Sequence, residues 1–84
     1  MATRVLKSYK LFVGNLSWTV SPAELRNYFS KYGQVKQSRI IFSKSGWSRG
    51  YGFVTFNREN DFKSVFNQKD HFLGGHMVKL ALKF

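Results

Sequence analysis

Residues 49–56, with the sequence RGYGFVTF, bring together the side chains of this chain that could recognise a ligand. Side chains alternate across a β-strand, so Tyr51, Phe53 and Thr55 are expected on one face, with Arg49 on their side. The two rings would stand about 7 Å apart, which is two strand steps. Nucleobases can stack on such rings while the guanidinium meets a phosphate. The pattern predicts a nucleic-acid contact; a buried strand with its aromatics in the core is the alternative interpretation.

The opposite face of the same strand suits a hydrophobic core. Gly52 would let another backbone approach closely, because it has no side chain. Val54 and Phe56 follow it on that face, and both are apolar. The strand is therefore predicted to bury one face and to expose the rings on the other.

A second segment that carries an aromatic is LFVGNL at residues 11–16. Apolar and β-branched residues bounded by Gly and Asn predict a strand. Leu11 and Val13 are expected to point into the core. Phe12 is then expected on the outer face, beside the two rings of residues 49–56.

The first of two predicted helices begins at Ser21. Ser21 as N-cap, Pro22 at the first helical position and Glu24 three residues after the cap form a capping box. Gly33 suits a left-handed stop at the C-terminal end. The spacing i, i+3, i+4, i+7 predicts one apolar, core-facing stripe, which consists of Leu25, Tyr28, Phe29 and Tyr32.

The second predicted helix runs from a cap at Asn57 to about Gln68. Glu59 and Asp61 suit the positive end of its dipole. Its apolar stripe is expected to consist of Phe62, Val65 and Phe66.

Two more strands complete the set, at residues 35–42 and 77–84. Residues 69–75 connect the second helix to the last strand, and Gly74 and Gly75 allow a tight turn there. By alternation, the residues expected to face inward are Ser38, Ile40, Val78, Leu80 and Leu82. Those expected to face outward are Gln37, Arg39, Ile41, Met77, Lys79, Ala81 and Lys83.

The resulting order, β-α-β-β-α-β, predicts an α+β fold of the ferredoxin-like type. In it, a four-stranded antiparallel sheet carries both helices on one face. Residues 10–84 are expected to form this single domain, and residues 1–9 a basic N-terminal arm. For that arm, a short organellar transit peptide and an extension of the first strand are the other interpretations.

The charge balance favours an anionic partner. The chain has fourteen Lys and Arg residues but only four Asp and Glu residues, which gives a formal net charge of +10. No acidic residue lies between Arg26 and Arg58. The absence of cysteine excludes disulfides and thiolate metal sites. No apolar run approaches the roughly 18–20 residues that span a bilayer.

Residues 49–56 match K/R-G-F/Y-G/A-F-V-x-F/Y at every position, so the chain resembles the RNA-recognition motif (RRM) family over residues 10–84. Residues 11–16 resemble the hexamer signature of that family. The resemblance implies that Phe12, Tyr51 and Phe53 stack on bases or ribose, and that Arg49 pairs with phosphate. The complete predicted RNA-binding set is Lys10, Phe12, Asn15, Arg39, Trp47, Arg49, Tyr51, Phe53 and Lys79.

A narrower resemblance is to the small mitochondrial stem-loop-interacting RNA-binding proteins. It rests on Trp18-Thr19 and on residues 44–50 and 69–75. It implies a role in the stability or post-transcriptional regulation of mitochondrial mRNA, with a helical-repeat pentatricopeptide protein as partner. Nuclear ribonucleoproteins share much of the same sequence, so a nuclear location is the alternative.

Protein interaction and enzymatic activity are the two alternatives to RNA binding. Exposed aromatics and arginine also suit a protein-interaction module, and Trp47 could clamp a base, dock a protein or fold over the sheet edge. Enzymatic activity and a cofactor are not expected, because the loop after the first strand has no cation to hold phosphate. His71 and His76 are expected to be solvated surface residues and not metal ligands.

Overall fold

The computed structural model describes residues 9–83 of the chain. Residues 1–8 of the predicted N-terminal arm and Phe84 of the predicted last strand lie outside that range. The regular elements are β1 (Tyr9–Gly14), α1 (Pro22–Phe29), a 3-10 turn (Ser30–Tyr32), β2 (Val35–Phe42), β3 (Ser48–Phe56), α2 (Glu59–Val65), β4 (Phe72–Leu73), β5 (His76–Met77) and β6 (Lys79–Lys83).

Four of the strands form one antiparallel sheet in the order β2-β3-β1-β6. Both helices pack on the same face of it, because one buried cluster joins Leu25 of α1 and Val65 of α2 to Leu11 and Val54 of the central strands. The predicted α+β, ferredoxin-like fold is therefore confirmed. None of the helices between residues 9 and 83 is long and apolar enough to cross a membrane.

Alternation along the central strands divides the sheet into a core face and an open face. Leu11 and Val13 are fully buried, and Phe12 between them is only half-buried. A Cβ atom at Gly52 would overlap the carbonyl oxygen of Arg39 on β2. The prediction that this glycine allows a close backbone approach is confirmed.

Helix α1 begins as the sequence predicts. The Ser21 hydroxyl accepts a hydrogen bond from the Glu24 backbone N–H at 3.1 Å, and the Glu24 carboxylate accepts one from the Ser21 N–H at 2.9 Å. The α-helix ends at Phe29, earlier than predicted, and a 3-10 turn follows. Gly33 closes this segment at φ 155° and ψ −167°. That conformation favours glycine but is not the left-handed helical one we expected, and a Cβ here would overlap Asp61.

Helix α2 is shorter than predicted and is capped differently. Its N-cap is Arg58 and not Asn57, and no side chain caps the helix. The Asn57 backbone N–H instead donates to the Gln34 carbonyl at 3.3 Å, which ties this residue to the start of β2. After Val65 the helix tightens into i→i−3 hydrogen bonds, so it ends before Gln68. Phe66, predicted to join the apolar stripe, is 43% exposed.

The predicted last strand is divided into two parts. Met77 pairs with Phe72 in a small β4–β5 hairpin around Gly74 and Gly75, and β6 begins only at Lys79. Both glycines have positive φ, 63° and 84°, which explains the tight turn predicted at this dipeptide. Met77 therefore does not belong to the outer face of the main sheet, as we had expected.

His71 is buried, with 2% of its surface exposed, so the expectation of a solvated histidine was wrong. Its Nε2 lies 2.9 Å from the Val65 carbonyl oxygen and donates to it. Its Nδ1 accepts from the Tyr28 hydroxyl at 2.8 Å. Both ring nitrogens are thus satisfied inside the core, which makes burial of this polar ring possible. His76, the other member of the pair, is exposed.

Candidate nucleic-acid interface

Three aromatic rings lie together on the open face of the sheet, and we call Phe12, Tyr51 and Phe53 the three-ring platform. Ring centroids are 5.6 Å apart for Phe12 and Tyr51, 5.8 Å for Phe12 and Phe53, and 6.3 Å for Tyr51 and Phe53. All three are half-buried against one another and none belongs to the core cluster. The alternative interpretation, with these aromatics in the core, is therefore wrong.

Predicted cationic residues lie beside the platform on three strands. The Lys10 ammonium on β1 is 5.5 Å from the Phe53 ring centroid, within cation–π range. Arg39 on β2 is the register partner of Phe53. Lys79 on β6 is the partner of Gly14, which follows Phe12 on the same face. Paired residues share a face, so these cations lie on the platform side of the sheet.

The direction of Arg49 cannot be obtained by counting alternate residues. Ile40 pairs with Gly52 and Phe42 with Ser48, so β3 has two extra residues in this interval. Gly50 lies inside it with φ 84°, as in a bulge. Arg49 is exposed next to this bulge, and its expected contact with phosphate stays a prediction.

Asn15 has a structural contact that the sequence did not indicate. It adopts φ 57° directly after β1, and its Nδ2 donates to the Met77 carbonyl at 2.9 Å. The His76 Nδ1 lies 3.1 Å from the Asn15 carbonyl oxygen. These contacts tie the β4–β5 hairpin to the end of β1, and the predicted role of Asn15 in RNA binding stays a prediction.

Trp47 lies on the β2–β3 loop and is 61% exposed. It packs against Trp18 of the β1–α1 loop, which is 65% exposed; the ring centroids are 5.5 Å apart and the planes are inclined by 72°. Trp47 thus contacts a second tryptophan, and its predicted role in RNA binding stays a prediction. The predicted RNA-binding set does not contain Trp18. A large aromatic residue in a polar loop could have indicated this residue as a candidate.

Gly14 is a second residue that the sequence reasoning missed. A Cβ atom there would lie 2.9 Å from Cε2 and 3.2 Å from Cζ of Phe12. Gly14 therefore keeps the space that the Phe12 ring occupies. The signal was present in the sequence, because this glycine stands two positions after Phe12 and so shares its face.

Three of the four acidic side chains make contacts on the helix side of the domain. Glu24 caps α1, Asp61 accepts from the Gln34 N–H at 3.1 Å, and Glu59 forms an ion pair with Lys63 at 3.2 Å. These three carboxylates are therefore engaged away from Lys10, Arg39 and Lys79 on the open face, an arrangement that suits a polyanion.

The fold and the rings together define a ferredoxin-like domain whose open sheet face carries three aromatic rings. A family model described as RNA recognition motif matches residues 11–78. The chain belongs to this family of RNA-binding domains.

Two relatives and one solved structure illustrate the similarity. The chain is 35% identical over 75 residues to the 28 kDa ribonucleoprotein, chloroplastic, of Nicotiana sylvestris, covering 87% of this chain and 27% of that protein. It is 44% identical over 61 residues to Glycine-rich RNA-binding protein 10 of Brassica napus, covering 71% and 36%. The RNA binding domain of Hrp1 in complex with RNA superposes with a TM-score of 0.83 at 33% identity, covering 92% of this chain and 46% of that one. The chain thus spans only about a quarter to a third of these curated relatives.

Proposed function

We propose that this domain binds single-stranded RNA through the three-ring platform, with Lys10, Arg39, Arg49 and Lys79 contacting the phosphates. The observation that carries the proposal is the contact of three rings on the sheet face that the helices leave open. Base–aromatic stacking contributes about 1–3 kcal/mol per base. Three rings would contribute about 3–9 kcal/mol on that scale, before the cost of ordering the strand.

Single-stranded RNA is favoured over a duplex by the shape of the surface. The rings lie on a sheet, and bases can stack on them only when they are splayed out from a helix. The similarity to the RNA binding domain of Hrp1, which was solved with RNA, supports the same ligand class.

A double substitution on the platform tests the proposal. Tyr51→Ala with Phe53→Ala should weaken binding of a short fluorescently labelled RNA by about tenfold or more, measured by anisotropy. Phe66→Ala is the matched control, because it removes an exposed ring from the C-cap of helix α2, on the other side of the sheet. Unchanged RNA affinity in a double variant that melts like the parent protein would contradict the proposal.

The cellular role we propose is regulation of mRNA stability after transcription, in mitochondria, together with a pentatricopeptide-repeat protein. The support is the resemblance of residues 44–50 and 69–75, and of Trp18-Thr19, to the small mitochondrial stem-loop-interacting proteins. Crosslinking in cells, followed by sequencing of the bound RNA, tests it. Recovery of mitochondrial transcripts is expected, and recovery of nuclear transcripts alone would contradict it.

A protein-interaction module is the second candidate function. The observation that favours it is the exposed Phe66, whose ring lies 5.7 Å from that of Phe62 on the helix side. A partner bound there would leave the platform free. The expected result is a partner that survives nuclease treatment, is lost with Phe66→Asp and is kept with Phe53→Ala.

A further inference from the structure

Strand β6 forms one outer edge of the main sheet, whose order is β2-β3-β1-β6. Within residues 9–83, β6 pairs with β1 and with no other strand. In an antiparallel pair, alternate residues of a strand direct their N–H and C=O groups towards the partner, and the others direct them away. The outer side of β6 therefore presents backbone donors and acceptors with which another extended chain can pair.

The pairing of β6 is regular, whereas the pairing of the opposite edge strand is not. All five residues of β6 pair in unbroken register with residues 10–14 of β1. On the opposite edge, the register of β2 with β3 shifts twice, within residues 35–37 and within residues 40–42. Such irregularities twist an edge strand and hinder the addition of a further strand. Of the two edges, β6 is therefore the one that suits strand addition.

Leu82 leaves apolar surface uncovered beside this edge. It is the register partner of Leu11, which is fully buried, so Leu82 lies on the helix side of the sheet. Leu82 is nevertheless 50% exposed, because the two helices pack mainly over β1, β2 and β3. An apolar side chain of an added strand would lie beside Leu82 on this face and would remove part of it from water.

The other face of β6 is basic. Lys79 is exposed on the platform side, and Lys10 of the neighbouring strand lies on the same side. Ala81, the register partner of Phe12, is also exposed and is too small to shield these cations. Neither β1 nor β6 contains an acidic residue. An added strand would thus meet cations on one of its faces and a leucine on the other.

We propose that the β6 edge binds an acidic, extended segment of a partner protein by strand addition. Alternate apolar side chains of the segment cover Leu82, and the carboxylates between them lie on the Lys79 side. A peptide fits better than RNA, because only a peptide has the alternating N–H and C=O groups that continue the ladder. A second copy of this chain fits poorly, since each copy carries a formal net charge of +10. The inference goes beyond the proposed RNA binding and does not depend on the three-ring platform.

A fluorescently labelled synthetic peptide of about eight residues that alternates Glu and Val tests this edge by anisotropy. Leu82→Ser should weaken its binding by about threefold or more, because the apolar contact is lost. Phe42→Ser is the matched control, since Phe42 is also 50% exposed but lies on the opposite edge strand. A peptide that alternates Lys and Val should not bind, because its cations would meet Lys79.

Amide hydrogen exchange, followed by NMR, locates the peptide independently of its affinity. With saturating peptide, the outward-facing amides of β6 should exchange about tenfold more slowly, and those of β2 should not change. Slower exchange along β2 instead of β6, or equal peptide affinity in the Leu82→Ser and Phe42→Ser variants, would overturn the proposal.

Two further measurements separate this edge from other surfaces. Tyr51→Ala with Phe53→Ala should keep the peptide affinity of the parent protein, whatever the RNA titration shows. Loss of peptide binding in that variant would assign the peptide to the platform and would overturn the proposal. Sedimentation without peptide should show a monomer, and a dimer in which the β6 amides are protected would show that a second copy occupies the edge instead.

Discussion

Phe12 and Phe53 are register partners on the neighbouring strands β1 and β3, and their ring centroids lie 5.8 Å apart. Forty-one positions separate them along the chain, so only the strand pairing brings the rings together. The same pairing places Leu11 against Val54 on the opposite face, in the core. One register thus sets both the hydrophobic core and the three-ring platform.

The first prediction concerns Phe12. Phe12→Ala should cost about 1–3 kcal/mol of RNA binding, because one stacking ring is lost. Combined with Phe53→Ala, the two losses should not add, and the coupling should be about 0.5–1.5 kcal/mol. Titration calorimetry of the double-mutant cycle measures this coupling. Strictly additive losses would show that the two rings bind independently.

The second prediction concerns the dependence of RNA binding on salt. Lys10→Gln should lower the slope of log affinity against log salt concentration by about 0.7, the value for one phosphate contact on a single strand. The control is Lys63→Gln, because the Lys63 ammonium pairs with Glu59 on helix α2. An equal change of slope in both variants would indicate a general charge effect and would contradict a phosphate contact at Lys10.

Much of this surface is predictable because strand alternation is a local property. Spacing within single strands was enough to assign Phe12, Phe53 and the buried Val54 to their faces. The capping box at Ser21 is equally local, since its two partners lie within three residues of each other.

The structural features that the sequence did not predict depend on contacts between segments that are distant along the chain. His71 is buried because Tyr28 and Val65 lie next to it in space, and no spacing rule indicates that. The bulge at Gly50 changes the register between β2 and β3 without changing the composition of either strand. For the same reason, the pairing of Trp18 with Trp47 became visible only when both loops were placed.

The third prediction concerns Gly52. An added methyl group would overlap the Arg39 carbonyl oxygen and lie 3.2 Å from the Ile40 Cα, and backbone atoms there cannot move aside easily. Gly52→Ala should therefore lower the free energy of unfolding by about 1–3 kcal/mol, measured in urea. Gly46→Asn is the control, because no atom lies within 4 Å of a Cβ at that position and asparagine adopts positive φ more often than most residues, so its only cost should be a smaller backbone strain. Equal stability of the two variants would argue against the close β2–β3 approach.

The fourth prediction concerns His71. His71→Leu would leave both the Tyr28 hydroxyl and the Val65 carbonyl without their partner. Each unsatisfied buried group costs about 1–3 kcal/mol, so the loss should be about 2 kcal/mol or more. The exposed His76, substituted in the same way, should change stability far less. Denaturant unfolding of the two variants compares these losses, and equal values would contradict the buried role of His71.

The last prediction concerns pH. Burial raises the pKa of the Tyr28 phenol above its usual value. A raised pKa means that the folded state keeps the proton when the unfolded chain, with a pKa of about 10, has lost it. This contribution to stability is complete below about pH 10 and is lost as the pH rises above that value.

Tyr28→Phe should consequently lose less stability than the parent protein between about pH 10 and 12. Lysines titrate in the same range in both proteins, so only the difference between the two profiles reports on Tyr28. Parallel profiles from denaturant unfolding would show that the Tyr28 phenol titrates alike in the folded and unfolded chains.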